Sequence, residues 1–90
     1  MTLTKKLKIL NRLGLHLRAA AQFVKTTSKF KCRILVKNGN GHVNGKSIIN
    51  LMTLAAGYGA ELTLVFEGED AQDALKEIQS LFLNKFGEKE

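Results

Sequence analysis

The chain has 90 residues, 44% of them hydrophobic, and its formal net charge at pH 7 is +6. This length suits a single small domain over residues 1–90, and the hydrophobic fraction favours a packed core over disorder. The longest nearly uninterrupted apolar stretch, residues 48–56, is far shorter than the roughly 20 residues of a membrane span, so we expect no membrane insertion. Cys32 is the only cysteine, which excludes an intrachain disulfide and disfavours a cysteine-based zinc site. A reduced, cytoplasmic protein is the simplest expectation.

Lysine and arginine outnumber aspartate and glutamate by 14 to 8, which favours an acidic partner such as nucleic acid, phosphate or an acidic protein surface. The basic residues are dispersed along the chain, which has five Phe, one Tyr and no Trp. Proteins that bind single-stranded nucleic acid usually interleave such charge with stacking aromatic side chains. Most of the phenylalanines instead fall at positions with core periodicity, so nucleic-acid binding is the less favoured interpretation.

Alternation of apolar and polar residues predicts four strands. The first covers residues 2–10, the second residues 32–37, the third residues 42–44 and the fourth residues 62–67. The run Asn-Gly-Asn-Gly at residues 38–41 predicts a hairpin between the second and third strands.

A helical period predicts three helices between and after these strands. The first begins at Leu17 and has the apolar face Leu17, Ala20, Ala21 and Val24. Ser47 is suited to cap the second helix, which would run to about Ala56 and stop at Gly57 or Gly59. Asp70 is suited to cap the third, which would end at Gly87 and has the apolar face Ala71, Ala74, Leu75, Ile78, Leu81 and Phe82.

The resulting order is β-α-β-β-α-β-α, which predicts an α+β fold. Each strand has one apolar face, so we expect an open-faced β-sandwich in which three helices cover one side of a four-stranded, mainly antiparallel sheet. The uncovered face would carry Lys6, Lys8, Arg33 and Lys37. Cys32 would pack inward as a small hydrophobic residue, and His42 would be exposed and inert.

The residues that carry chemistry stand where the first turn meets the first helix. The first backbone N–H groups of a helix lack intrahelical partners and, with the helix dipole, favour an anion. His16 lies at that point and should stay neutral and nucleophilic there, while Arg18 offers a planar donor fork for phosphate oxygens. Gly14 permits the sharp turn that precedes the histidine. The arrangement suits the formation of a phosphohistidine, although His16 as a simple helix cap is an open alternative.

The Ser47 helix carries more apolar residues than one buried face can take. In a small domain with an open sheet, the surplus should be exposed near the N-terminal end of this helix, at Ile48, Ile49 and Met52, as a protein-binding patch. The alternative is that neighbouring helices bury both sides.

Residues 14–20 (GLHLRAA), followed by residues 27–30 (TSKF), resemble the active-site segment of the HPr family, the histidine-containing phosphocarriers of the phosphoenolpyruvate-dependent sugar phosphotransferase system. Residues 43–54 (VNGKSIINLMTL) resemble the second signature of that family, around its regulatory serine. Residues 59–64 and 67–71 continue in register. The resemblance covers essentially the whole chain, and two motifs at the correct mutual spacing make it specific.

The resemblance implies a stoichiometric phosphocarrier rather than a multi-turnover enzyme, with neither cofactor nor metal. His16 would accept phosphate on Nδ1 from phosphorylated enzyme I and pass it to an IIA domain or protein. Arg18 and the N–H groups of Leu17 and Arg18 would stabilise the phosphate. Ser47 matches the residue that an HPr kinase/phosphorylase modifies in many bacteria, and a transcriptional regulator is a further implied partner. The implied docking residues are Leu17, Ala21, Val24, Ile48, Ile49 and Met52, with Lys25 and Lys46 at the rim.

The run after the histidine departs from the family pattern. The family usually has a small residue, Arg and Pro there, whereas this chain has Leu17, Arg18 and Ala19. Proline at position 19 would fix φ in the first helical turn. Alanine keeps the helix but loosens that constraint, and Leu17 adds bulk beside the phosphate. A regulatory paralogue that acts by protein–protein interaction, in carbon control or in the nitrogen branch of the system, is therefore the second interpretation. A small basic nucleic-acid-binding module is the third.

Overall fold

The predicted order of elements is confirmed. The computed structural model describes residues 1–39 and 41–90. Its elements are β1 (Thr2–Lys8), α1 (Leu17–Thr27), β2 (Arg33–Asn38), β3 (Gly41–Asn44), α2 (Ile48–Met52), β4 (Glu61–Glu67) and α3 (Ala71–Leu83), with a final 3₁₀ turn at Lys85–Gly87. Within the described residues, each of the helices is too short or too polar to cross a bilayer.

The four strands form one sheet in the order β1-β4-β2-β3, and all three pairings are antiparallel. The pairing of β1 with β4 places Leu7 opposite Leu62, and both side chains are buried. The first strand ends at Lys8 rather than at Leu10, because Ile9 pairs with the loop before β4, through Ala60 O at 2.8 Å. The predicted 38–41 hairpin includes Asn40, which lies outside the described residues.

The helices cover one side of the sheet, and the core forms between them. Phe23 of α1 packs edge-on against Phe82 of α3, with ring centroids 6.0 Å apart. The predicted core face of α1 is therefore wrong for Leu17, which is 63% exposed. The buried face is rotated around the helix because Phe23 buries more apolar area than the smaller residues beside it. It consists of Ala19, Ala20, Phe23 and Thr27.

Two helices end earlier than predicted. Helix α2 has five residues and is capped by Thr53, and Ala55 then takes a left-handed φ of 49°. The chain after α3 makes a sharper change, since both Lys85 and Phe86 have positive φ values, of 56° and 55°. This reversal buries Phe86 against Phe82 at a centroid distance of 5.0 Å, and the burial of an aromatic side chain offsets the backbone strain.

Asp70 does not have its predicted role as a side-chain cap of α3. Its carboxylate accepts hydrogen bonds from the backbone N–H groups of Lys31 and Cys32, at 2.8 and 2.9 Å. The bond from Lys31 is the main cause that lowers the pKa of the Asp70 carboxyl. Burial, followed by the nearby Asp70, raises the pKa of the Cys32 thiol to about 11, so the thiol is neutral and packs as expected. Asp70 thus joins the start of α3 to the start of β2.

The face of the sheet away from the helices carries Lys6, Lys8, Arg33 and Lys37, all exposed as predicted. Two acidic residues lie on the same face, because Glu61 pairs with Lys8 and Glu67 pairs with Arg33. His42 is also exposed. Part of the positive charge is therefore balanced within the sheet, which does not favour nucleic acid as the partner.

We expect Asp70→Asn to lower the Tm at pH 7, because the amide nitrogen cannot accept one of the two backbone hydrogen bonds. The folded-state pKa of Asp70 is depressed, so its contribution to stability is present above pH ~4 and is lost as pH falls through the folded-state value. Thermal melts of both proteins from pH 7 to pH 2 should show a Tm difference that shrinks with pH. A difference that stays constant would contradict this role of the charge.

Candidate functional site

His16 is the N-cap of α1, with extended backbone angles of φ −80° and ψ −180°. Its Nδ1 accepts a hydrogen bond from the backbone N–H of Arg18 at 3.3 Å, and its side chain is 29% exposed. The ring therefore lies at the N-terminal amides of α1, as expected, and reaches solvent. A histidine that only caps the helix would make the same hydrogen bond. This contact alone therefore does not distinguish a simple helix cap from a phosphoryl acceptor.

The segment before His16 packs closely against the loop that follows α2. Gly14 has a φ of 71°, and a Cβ placed there would lie 2.8 Å from both Ala56 O and Gly57 Cα. The next residue, Leu15, is buried and donates its N–H to Ala56 O at 2.9 Å. Glycine at position 14 is thus required both by the backbone angle and by the close approach of a second chain segment.

We expect Gly14→Ala to destabilise the fold more than Gly59→Ala does. Gly59 also has a positive φ, of 84°, but a Cβ there would meet no described atom within 4 Å. A left-handed conformation costs a non-glycine residue about 1–3 kcal/mol, and only Gly14→Ala adds a steric clash. Thermal melts should show a Tm loss of roughly 5–10 °C for Gly59→Ala and a larger loss for Gly14→Ala. Equal losses would mean that the close approach is easily relieved.

The other ring nitrogen of His16 contacts a carboxylate from the end of the chain. Its Nε2 is hydrogen-bonded to Glu88 Oε2, and Asn11 donates to Glu88 Oε1 at 2.9 Å. Asn11 is fully buried and also donates to Gly14 O at 2.8 Å. Because Nδ1 accepts from a backbone N–H, the proton of a neutral ring lies on Nε2 and points to the carboxylate.

The charge of Glu88 is stabilised by its surroundings. Burial opposes ionisation of this carboxyl, but the hydrogen bonds from Asn11 and His16, together with the charges of His16 and Arg18, lower its pKa. The sequence analysis did not identify Glu88 or Asn11. Glu88 and His16 are 72 residues apart, so no local sequence pattern indicates that they are in contact. The acidic residues near the end of the chain are the one sequence feature that could have suggested a carboxylate partner for the basic site.

A cleft of about 890 Å³ opens beside His16, and Arg12, Leu17, Arg18 and Glu88 contribute to its walls. An unprotonated ring nitrogen, unpaired helix amides and two guanidinium groups form a site that suits an anion with a reactive centre near Nδ1. The part of the chain that the structure describes holds no cluster of His, Cys, Asp and Glu suited to a metal ion. The helix terminus and the two arginines are suited to hold negative charge there.

Apolar side chains surround this site on α1 and α2, which pack against each other. Ile49 is 78% exposed and Met52 is 41% exposed on α2, and Leu17 is 63% exposed on α1. Ile48, Ala21 and Val24 on the same two helices are half-buried. The alternative that α2 is buried on both sides is therefore wrong. We call these six side chains the apolar patch.

The two lysines expected at the rim differ. Lys25 is exposed in the last turn of α1. Lys46 is half-buried, and its ammonium donates to Phe30 O at 2.5 Å, so it is engaged by the protein itself. Ser47 caps α2 as predicted, because its Oγ accepts the N–H of Asn50 at 3.2 Å. Ser47 directly precedes Ile48 of the apolar patch.

Comparison with known proteins gives a consistent result. Residues 3–84 match the family model described as the PTS HPr component phosphorylation site. The chain is 46% identical over 84 residues to phosphocarrier protein HPr of Treponema pallidum, covering 93% of this chain and 96% of that one. It is 44% identical over 86 residues to the HPr of Pseudomonas aeruginosa, covering 94% and 96%.

A solved structure shows the same fold. The crystal structure of HPr-C-His from Thermoanaerobacter tengcongensis superposes with a TM-score of 0.94 at 41% identity, covering 98% of this chain and 99% of that one. The matched segment contains His16 and Arg18, in a fold with the topology described above. The chain therefore belongs to the HPr family of phosphocarrier proteins.

Proposed function

We propose that His16 accepts a phosphoryl group on Nδ1 from phosphorylated enzyme I and passes it to an IIA component of the sugar phosphotransferase system. The observation that carries the proposal is the His16 ring itself, whose Nδ1 accepts from the Arg18 N–H beside an arginine-lined cleft. The protein is consumed and regenerated in each cycle, as a carrier rather than a multi-turnover enzyme. The expected cytoplasmic location, where such partners would meet it, belongs to the same proposal.

The transfer step needs no proton movement within this chain. The Nδ1 lone pair leaves its hydrogen bond with the Arg18 N–H and attacks phosphorus. The new N–P bond forms while the bond from phosphorus to the donor nitrogen breaks in line, and the freed N–H can then donate to a phosphoryl oxygen. The Nε2–H remains in place throughout. Arg18 and the first amides of α1 stabilise the charge on the phosphoryl oxygens, so catalysis consists of positioning and electrostatic stabilisation.

The apolar patch provides the docking surface for both partners. Leu17, Ile49 and Met52 expose apolar area that a small protein would otherwise bury. This area adjoins the nucleophile, since Leu17 immediately follows His16. A partner that covers the patch therefore brings its own reactive histidine to Nδ1 and excludes water from the transfer. The same surface serves donor and acceptor in turn, so the two cannot bind at once.

We expect His16→Ala to abolish phosphorylation and Arg18→Ala to slow it by about a hundredfold, at the lower end of the usual effect of losing one charge-stabilising donor. Each variant is incubated with enzyme I, magnesium and phosphoenolpyruvate, and an acid-labile, base-stable adduct is followed by intact mass. His42→Ala is the matched control, because it removes the other histidine from an exposed position on β3. An adduct that persists in His16→Ala, or disappears in His42→Ala, would refute the assignment of the site.

We further propose that phosphorylation of Ser47 by an HPr kinase/phosphorylase prevents docking. Ser47 is half-buried at the start of α2 and precedes two residues of the apolar patch, Ile48 and Ile49. A phosphate there adds a charge of about −2 beside an apolar docking surface. The start of a helix tolerates a negative group, so the fold itself should lose little stability.

We expect Ser47→Asp to raise the KM for this protein in the enzyme I reaction by about tenfold, with a Tm close to that of the wild type. Ser80→Asp adds the same charge at an exposed position on α3, outside the two helices of the apolar patch, and should leave the KM unchanged. A large Tm loss in Ser47→Asp with unaltered transfer would contradict this model of regulation.

A further inference from the structure

The end of the chain is fixed in place on both sides of Glu88. Before it, Phe86 is buried against Phe82, and the left-handed angles of Lys85 and Phe86 turn the chain away from α3. Beyond it, Glu90 O accepts the backbone N–H of Arg12 at 2.6 Å. Glu88 itself is extended, with φ −87° and ψ 151°. We call residues 85–90 the C-terminal segment.

The carboxylate of Glu88 is held in place by hydrogen bonds to both of its oxygens. It is 17% exposed, one oxygen accepts from the buried Asn11, and the other is hydrogen-bonded to Nε2 of His16. Asn11 is itself held by its bond to Gly14 O, in the turn that leads into α1. Two segments distant in sequence, residues 11–16 and the C-terminal segment, thus bring a single charge to the side of the ring opposite the nucleophilic nitrogen.

We propose that Glu88 is a positioning residue for phosphoryl transfer, because it holds the proton of His16 on Nε2 and balances the charge that the ring gains when phosphorus bonds to Nδ1. This inference rests on the function proposed above. Asn11 acts through Glu88, as the group that orients its carboxylate.

The electrostatic argument follows from where the charges form. Attack by Nδ1 with Nε2–H retained makes the ring cationic, as in a serine protease triad, where an aspartate orients the histidine and stabilises its cationic form. Glu88 contacts the Nε2 side, whereas the phosphoryl group adds on the Nδ1 side. The attraction between carboxylate and ring therefore acts over a shorter distance than the repulsion between carboxylate and phosphoryl oxygens. The hydrogen bond from Nε2–H to the carboxylate thus stabilises the cationic ring directly.

The kinetic test compares Glu88→Gln and Glu88→Ala with wild type. We expect single-turnover transfer from saturating phospho-enzyme I to slow by about tenfold in both, with an unchanged concentration for half-saturation because the apolar patch is intact. Glu69→Gln is the matched control, since it makes the same change at an exposed carboxylate in the turn before α3, away from the cleft beside His16. It should transfer at the wild-type rate, and thermal melts should show that all three variants are folded.

The spectroscopic test needs no partner protein. In ¹⁵N NMR of the neutral ring, wild-type His16 should show a protonated Nε2 and an unprotonated Nδ1. In Glu88→Ala both signals should move toward the values of a ring that exchanges between its two tautomers, while Glu69→Gln should match wild type. A structural role of the C-terminal segment would not move these signals selectively.

The outcomes separate the two proposals. Wild-type protein that takes no phosphoryl group from enzyme I would refute the proposed function. Normal phosphorylation of wild type with equally fast transfer by Glu88→Gln and Glu88→Ala would leave that function intact and overturn the role of Glu88. Equal slowing in Glu69→Gln, or slowed transfer with unchanged ring signals, would also overturn it, since the effect would then not come from the contact between Glu88 and the ring.

Discussion

The whole site depends on one imidazole ring held between a helix N-terminus and a carboxylate. Nδ1 of His16 accepts the N–H of Arg18, and Nε2 is hydrogen-bonded to Glu88. The two contacts fix which nitrogen carries the proton and which keeps a lone pair for attack on phosphorus. They also place positive potential, from the helix amides, where a phosphoryl group would lie. A rotated or exchanging ring would lose both properties, so the surrounding structure acts by restraining this side chain.

Packing in the core restrains the position of the His16 side chain. The Phe23, Phe82 and Phe86 side chains pack together where α1, α3 and the C-terminal segment meet. This cluster sets the direction of α1 and returns the end of the chain to the beginning of that helix. Gly14 completes the arrangement, because a side chain there would collide with the loop after α2 and displace the turn that carries His16. The site is therefore rigid although it lies at the surface.

Exposed apolar side chains make the folded protein less stable than it would be if they were buried. A chain of this size buries roughly 60–65% of its unfolded surface, yet Leu17, Ile49 and Met52 remain in solvent. Leaving a large aliphatic side chain exposed forgoes about 1.5–3 kcal/mol of burial free energy. In the proposed function, partners that cover the apolar patch would recover that energy. Weak, reversible docking is what an exchange of phosphoryl groups between two partners requires.

The sequence by itself determined the order of the elements, the open face of the sheet and the place of His16 at a helix start, because local periodicity and capping depend on neighbouring residues. It also predicted exposed surplus apolar residues at Ile48, Ile49 and Met52, which is right for Ile49 and Met52 but wrong for Ile48, because Ile48 packs partly against the core. Tertiary structure decided the buried face of α1, the early ends of α2 and α3, and the use of Asp70 at the start of β2. It alone brought Glu88 to His16, since packing of Phe86 and a buried Asn11 join positions that no local pattern connects.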